Sequence, residues 1–248
     1  MAEVLIVTGG SRGIGAACAR LGAARGYDVC VNYLENAARA EQVVAEVRAA
    51  GRRAIAVQAD LASEPDILRL FAATDRELGT VTALINNAAR TVSYGPTTRV
   101  TAATLAPLWA TNITGPFIAC REAVRRMSTR HGGKGGAICN ISSIGVTLLG
   151  GGQFVDYAAS KAALEALTLG LAQEVADQGI RVTAIRPGLI DTEIHVRAGN
   201  PNRVAEVAPT LPLKRAGTPE EVAAVVLFLL SAEASYVTKT ILDIAGGR

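Results

Sequence analysis

Short apolar runs alternate with longer stretches in which apolar and polar positions recur at helical spacing, from one end of the chain to the other. The runs Val4–Val7, Val29–Val31, Ala54–Val57, Ala83–Ile85, Ala137–Ile141, Val182–Ile185 and Thr240–Ile244 are predicted strands. They are brief and nearly continuous in apolar residues, as strands covered on both faces are. Between them the periodicity predicts helices over Gly13–Arg25, Ala37–Ala50, Ala102–Arg130, Val155–Asp177 and Pro219–Ser231. A further helix opens at Ser63-Glu64-Pro65, where a capping serine precedes acid and proline in the first turn, and Gly51 ends the second. Strict β-α alternation predicts an α/β fold with a doubly wound, mostly parallel, seven-stranded sheet, helices on both faces and right-handed crossovers.

One segment breaks the alternation. From Pro187 to Pro212 the chain carries Pro, Gly and Asn with little sustained periodicity, and it leaves the C-terminal end of the sixth strand. A doubly wound sheet binds its ligand at that edge, and long loops in compact domains are usually functional. Residues 188–212 are therefore read as a lid. With no linker, repeat or low-complexity stretch in view, residues 1–248 are expected to form a single domain.

Composition narrows the class. Half of the residues are hydrophobic but only 4% aromatic, so Ala, Val, Ile and Leu must build the core. The net charge of +3 is small, and no basic tail or aromatic-plus-basic patch points to nucleic acid. Arg121, Arg125, Arg126 and Arg130 recur at helical spacing, read as a solvated face. Cys18, Cys30, Cys120 and Cys139 each fall within a predicted helix or strand and read as small reduced core residues. They and the two histidines, His131 and His195, match no familiar zinc spacing, so no metal is expected. Glu3 interrupts the first apolar stretch, which argues against a secretory signal, and the run Val222–Leu230 is far short of the ~20 residues that span a bilayer. The expectation is a soluble, cytoplasmic protein.

Two motifs carry chemistry. The first strand runs into Thr8-Gly9-Gly10-Ser11-Arg12-Gly13-Ile14-Gly15, and a helix begins on the far side. Glycines permit a tight turn and close backbone approach, while the helix N-terminus offers free N–H groups to a pyrophosphate. The spacing Gly9, Gly13, Gly15 differs from the usual G-x-G-x-x-G fingerprint. The second motif is Tyr157-Ala158-Ala159-Ser160-Lys161, which places a phenol and an ammonium one helical turn apart. A free phenol has a pKa of about 10 and is a poor base at neutral pH; a nearby cation favours its phenolate. Either motif alone is weak, but in this order they point to a bound dinucleotide and a hydride transfer. Asp60-Leu61 after the third strand and Asn86-Asn87-Ala88-Ala89 after the fourth also fall at the ligand edge, with a turn as the alternative reading of each.

Over its whole length the chain resembles the short-chain dehydrogenase/reductase family, on Thr8–Gly15, Asn86–Ala88, Asn112, Ser143, the Tyr157/Lys161 pair, Pro187-Gly188 with Thr192, and the closing Tyr236–Gly247 segment. Val31-Asn32-Tyr33 and Asp156–Lys161 look like its glucose 1-dehydrogenase-like or 3-oxoacyl reductase-like branch. The resemblance implies a Rossmann fold and a catalytic set of Asn112, Ser143, Tyr157 and Lys161. It also implies that Gly9, Gly13, Ile14 and Gly15 carry the pyrophosphate, with Ser11 and Arg12 near the adenosine phosphate. Asp60 and Leu61 would contact adenine, Asn87 and Ala88 would flank the ribose, and Pro187, Gly188, Ile190 and Thr192 would embrace the nicotinamide. Asn112 would bend its helix and hold a water that relays protons to Lys161. The family's usual glycine after Asn-Asn-Ala is Ala89 here, which adds a methyl near the cofactor.

In this reading Tyr157 exchanges the proton on the substrate oxygen while the nicotinamide carries the hydride. Ser143, at the end of Asn140-Ile141-Ser142-Ser143, hydrogen-bonds the carbonyl oxygen. No Gly-x-Ser-x-Gly elbow surrounds either serine, so neither reads as a hydrolase nucleophile. Gln153 and Phe154, before the catalytic helix, are candidate substrate contacts, and His195 and Arg197 on the lid are candidates for an anionic group. NAD-selective sites place a carboxylate at the end of the second strand; here the position is Tyr33, and Arg12 offers a guanidinium. NADP(H) is therefore the expected cofactor, with some NAD(H) use because Glu35 is close and Leu34 adds no second base. The segment Val155–Val175 is apolar almost all round, which predicts a homo-oligomer, by resemblance a tetramer. Two rivals remain: a cofactor-sensing regulator, which has no need of all four catalytic residues, and an epimerase or dehydratase on the same fold, which the glycine spacing and lack of a C-terminal substrate domain oppose.

Overall fold

The computed structural model describes residues 3–91 and 94–248, the side chain of Arg197 excepted. Its first half contains β1 (Val4–Val7), α1 (Gly13–Ala24), β2 (Asp28–Tyr33), α2 (Ala37–Ala49), β3 (Ala54–Gln58), α3 (Glu64–Glu77) and β4 (Ala83–Asn86). These are followed by α4 (Ala102–Trp109), α5 (Gly115–Met127), β5 (Gly136–Ile141), α6 (Gly145–Leu148), α7 (Val155–Val175) and β6 (Ile180–Pro187). Residues 188–212 carry α8 (Ile194–Arg197) and α9 (Arg203–Val207), and α10 (Pro219–Leu230) leads to β7 (Thr240–Ile244).

The strands form one parallel sheet in the order β3-β2-β1-β4-β5-β6-β7. Alternation along β1 divides the core: Leu5 and Val7 face α1, α2 and α10, while Val4 and Ile6 face α3, α5 and α7. The sheet order reverses between β1 and β4, so the loops after these two strands diverge and leave a crevice at the C-terminal edge. All four cysteines are free and buried, and burial holds each thiol well above its ordinary range.

Three expectations are corrected. The predicted helix Ala102–Arg130 is not continuous: α4 passes into a π-helical turn over Ala110–Thr114, and α5 ends at Met127. Pro116 lacks the N–H that an α-helix would direct at the Asn112 carbonyl, and the backbone widens there. The segment 188–212, expected to be an irregular loop, holds α8 and α9. The arginine stripe is ion-paired rather than merely solvated. Arg121, Arg125 and Arg126 converge on the buried Glu122, and Arg126 also pairs with Asp75 and lies 5.0 Å over the Phe71 ring.

Candidate active site

The glycine turn is built by its neighbours. Gly9 adopts φ +61°, and a Cβ on Gly15 would stand 2.4 Å from the Gly9 carbonyl oxygen, so a larger residue at either position would break the turn. Asn87, beyond β4, donates from Nδ2 to the carbonyls of Thr8 (2.9 Å) and Gly9 (3.1 Å). The Thr8 hydroxyl accepts from the backbone N–H groups of Asn87 and Ala88. Asn32, buried at the end of β2, accepts from the Gly9 N–H and donates to Ala59, which ties β2, β3 and the turn together. Asn87 is thus first a structural staple, and its neighbour Ala89 lines the cleft with its extra methyl.

A solvent-open cleft of about 1020 Å³ runs from this turn to the lid. Ile14, Asn87, Ser143, Tyr157, Lys161, Pro187, Gly188, Ile190, Thr192, Phe154 and His195 line it together. The expected reacting groups and the expected nicotinamide contacts therefore share one cavity. Other expected contacts lie outside its wall. Gly9, Ser11, Arg12, Gly13 and Gly15 belong to the adjoining turn, and Tyr33 lies half-buried at the end of β2. Asp60 accepts from the Ala62 N–H and closes the turn before α3. Leu61 is buried, with its carbonyl packed where a side chain on Gly115 would stand. Gln153 is exposed and contributes only its backbone, accepting from the Gly95 N–H at 2.7 Å. Phe154 meets Tyr94 edge to face at 5.8 Å.

The end of β5 is fastened to α7 residue by residue. The Ile141 carbonyl accepts from Lys161 Nζ at 2.7 Å, the Ser142 hydroxyl donates to Glu165 at 2.6 Å, and Ser143 hydrogen-bonds Tyr157. Ser142 is buried and committed to Glu165, which leaves Ser143 as the serine that faces the cleft. Glu165 in turn receives both arms of Arg186, each at 2.7 Å, and Arg186 reaches Asp243 on β7. This bidentate clamp behind Lys161 has one sequence signal, an acid four residues after the lysine on an otherwise apolar helix.

Asn112 sits in the π-turn and is fully engaged. It accepts from the Arg90 N–H at 2.7 Å and donates to the Arg90 carbonyl and to Ser160 Oγ. It therefore fixes the loop after β4 against α7.

The electrostatics correct one expectation. Lys161 Nζ stands 5.8 Å from the centre of the Tyr157 ring and donates to the Ile141 carbonyl. Burial dominates both groups. It pushes the Tyr157 phenol up to about 12, against the Ser143 hydrogen bond and with help from Tyr94. It also pushes Lys161 down to about 8, against the pull of the Glu165 carboxylate. Burial thus favours the protonated phenol, opposite to the direction expected from the nearby cation alone. Among the wall residues, His195 is held below its usual range, mainly by burial, and Arg203 lies 4.8 Å over the Tyr94 ring.

Two arginines converge on one carboxylate, that of Glu193. Arg12 precedes α1, and Arg39, in the first turn of α2, was not legible as a site residue. No carboxylate occupies the Tyr33 position, and the donor set suits a 2′-phosphorylated adenosine.

Residues 9–248 match the family model described as enoyl-(acyl carrier protein) reductase. The chain is 46% identical to the uncharacterized oxidoreductase YgfF of Escherichia coli (strain K12), covering 99% of each. It is 38% identical to 3beta-hydroxysteroid dehydrogenase 1 of Eggerthella lenta, covering 99% of this chain and 93% of that one. A blue fluorescent protein from a metagenomic library, solved with NADPH, is 36% identical with a TM-score of 0.90, over 99% and 97% of the two chains. A short chain dehydrogenase from Burkholderia cenocepacia J2315, solved with NADP, is 34% identical with the same TM-score of 0.90 and the same coverage. Fold, cleft and sequence agree: the chain belongs to the short-chain dehydrogenase/reductase family of oxidoreductases.

Proposed function

We propose that this oxidoreductase interconverts a ketone or aldehyde and the corresponding alcohol, with Tyr157 as proton donor and acceptor and NADP(H) as the preferred cofactor. The observation that carries the reading is the meeting of Ser143, Tyr157 and Lys161 in one cleft with Ile14, Pro187, Gly188 and Thr192. A bound nicotinamide dinucleotide supplies or removes the hydride. Ser143 donates to the substrate oxygen as negative charge develops there, and Tyr157 delivers the proton. Lys161, a buried cation through neutral pH, stabilises the phenolate that this leaves. Asn112 holds the loop that forms one side of the cleft.

The NADP(H) preference is supported by Tyr33 in place of an acid and by the guanidiniums of Arg12 and Arg39, which converge on Glu193. Two solved relatives, one in complex with NADPH and one with NADP, agree with it. NAD(H) remains usable, since the contacts of the glycine turn do not involve the 2′ position. The substrate wall combines Tyr94, Leu148, Phe154 and Ile194 with His195 and Arg203, which fits a largely apolar carbonyl compound. Cofactor oxidation measured against ketones, sugars, steroids and acyl thioesters tests the reading. Turnover of at least one class supports it, and cofactor binding with no turnover on any would favour a sensing role.

Two further readings belong here. The outward face of α7 exposes Ala159, Ala162, Ala166 and Gly170, with Trp109 and Phe117 exposed on α4 and α5, and this supports a homo-oligomer, by family resemblance a tetramer. Light scattering near the monomer mass of 25.6 kDa would contradict it. The four free cysteines fit a reducing compartment, and among the described residues no helix is long and apolar enough to cross a membrane; we place the protein in the cytoplasm.

A further inference from the structure

The lid lies across the glycine turn. At its base, Ile190 and Gly217 form a parallel bridge, and the Asp191 N–H donates to the Gly217 carbonyl, so the segment leaves β6 from a fixed point. Beyond that point Thr192 packs against Gly13; its methyl carbon is 3.3 Å from where a Cβ on that glycine would stand. The next residue, Glu193, reaches between two helices that begin at this edge of the sheet. One carboxylate oxygen meets Arg39 Nη1 at 2.6 Å and the other meets Arg12 Nη1 at 3.6 Å.

We propose that Glu193 is a latch that holds the lid onto the arginine pair, and that the adenosine 2′-phosphate of NADP(H) must displace it, so that this residue sets how strongly NADP(H) is preferred over NAD(H). The inference rests on the reading of Arg12 and Arg39 as the 2′-phosphate site. A carboxylate bridging two guanidiniums occupies the donors that a phosphate would use. A phosphate with three oxygens and nearly two charges wins that competition, while a ribose hydroxyl has no charge with which to enter it. NADP(H) thereby frees the lid tip from the turn, and NAD(H) leaves the latch closed. Both arginines and Glu193 are partly exposed, with side-chain exposures of 33%, 44% and 51%, so the exchange requires no opening of the core. Pairs this exposed are weak, which suits a contact that ligand binding must break.

The test uses fragments that cannot turn over, adenosine 2′,5′-bisphosphate and 5′-AMP, titrated calorimetrically into the full-length wild type, Glu193→Gln and Arg39→Ala. Glu193→Gln is expected to bind the bisphosphate about three- to tenfold more tightly, the scale of two exposed ion pairs, with 5′-AMP unchanged. Arg39→Ala is expected to lose most of the discrimination between the two ligands. As a second readout, the bisphosphate should speed tryptic cleavage within residues 194–207 of the wild type, and Glu193→Gln should be cut at the faster rate without ligand. If the wild type prefers the bisphosphate but Glu193→Gln binds it equally or more weakly, the latch is overturned and the cofactor reading stands. If the wild type binds both ligands alike, the cofactor reading falls and the latch falls with it.

Discussion

The ammonium of Lys161 donates to the carbonyl of Ile141 at 2.7 Å, so the buried cation of the site is fixed by the last residue of β5. The same strand end presents Ser142 to Glu165 and Ser143 to Tyr157. Strand and helix are therefore locked in one register, and the distances among the reacting groups follow from that register.

The pH dependence of reduction should report Lys161. Burial pushes Tyr157 up to about 12, so the phenol keeps its proton over the accessible range. Lys161, pushed down to about 8, loses its charge as pH rises through that value. Reductive kcat/KM is expected to fall with a single-proton slope above about pH 8 and to stay level below it down to neutrality. A profile flat to pH 10 would show that the lysine's charge is not needed.

Burying that lysine also costs stability. Its folded pKa of about 8 lies below the ordinary 10.5, so the unfolded chain holds more protons between those values. The penalty is fully present below pH 8 and is relieved as pH rises toward 10.5; the shift corresponds to about 3 kcal/mol. Lys161→Met should abolish catalysis yet leave the cofactor-free protein as stable as the wild type or more so near pH 7, even with the Ile141 contact gone. Urea unfolding at pH 7 and pH 10 checks this, and a destabilised variant at pH 7 would refute it.

Asn112→Ala would strip partners from the Arg90 N–H and carbonyl at once. The expected cost is about 2–4 kcal/mol, since each orphaned polar group costs about 1–3 kcal/mol. The loop lines the cleft, so kcat should fall with stability. An unchanged melting temperature would mean that the π-turn is held by its backbone alone.

Glu165→Ala leaves the Arg186 guanidinium, 20% exposed, with only a 3.3 Å contact to Asp243. Stranding a buried charge costs about 3–5 kcal/mol, and partial exposure moves this site to the low end. Replacing both residues, Glu165→Leu with Arg186→Met, should recover most of that loss. A double variant as unstable as the single one would show that the clamp's geometry matters beyond its charge.

The strands and the sheet's ligand edge were legible because burial on both faces leaves unbroken apolar runs, as in Val4–Val7 and Ala137–Ile141. That Ser143, Tyr157 and Lys161 meet in one cleft was legible because they lie at fixed spacing along local elements. The π-turn left no mark on the periodicity, since one widened turn changes the hydrophobic pattern too little to see; only the resemblance, which implied that Asn112 bends its helix, pointed to the segment Ala110–Thr114. The pairings of Glu193 with Arg39 and of Glu165 with Arg186 join distant parts of the chain, and no local pattern announces them. The balance of charges at Tyr157 was misjudged for a related reason. Helical spacing brings Lys161 near, but only the packing shows that its ammonium is turned to Ile141 and that burial outweighs it.

Tyr157→Phe tests the central claim most directly, because it removes one hydroxyl and keeps the ring. With a substrate of the wild type in hand, kcat is expected to fall by at least ~100-fold, the usual scale of acid/base catalysis, while the dissociation constant for NADPH stays nearly unchanged. A variant that retained near-normal kcat would contradict the account, because the proton would then have come from another group.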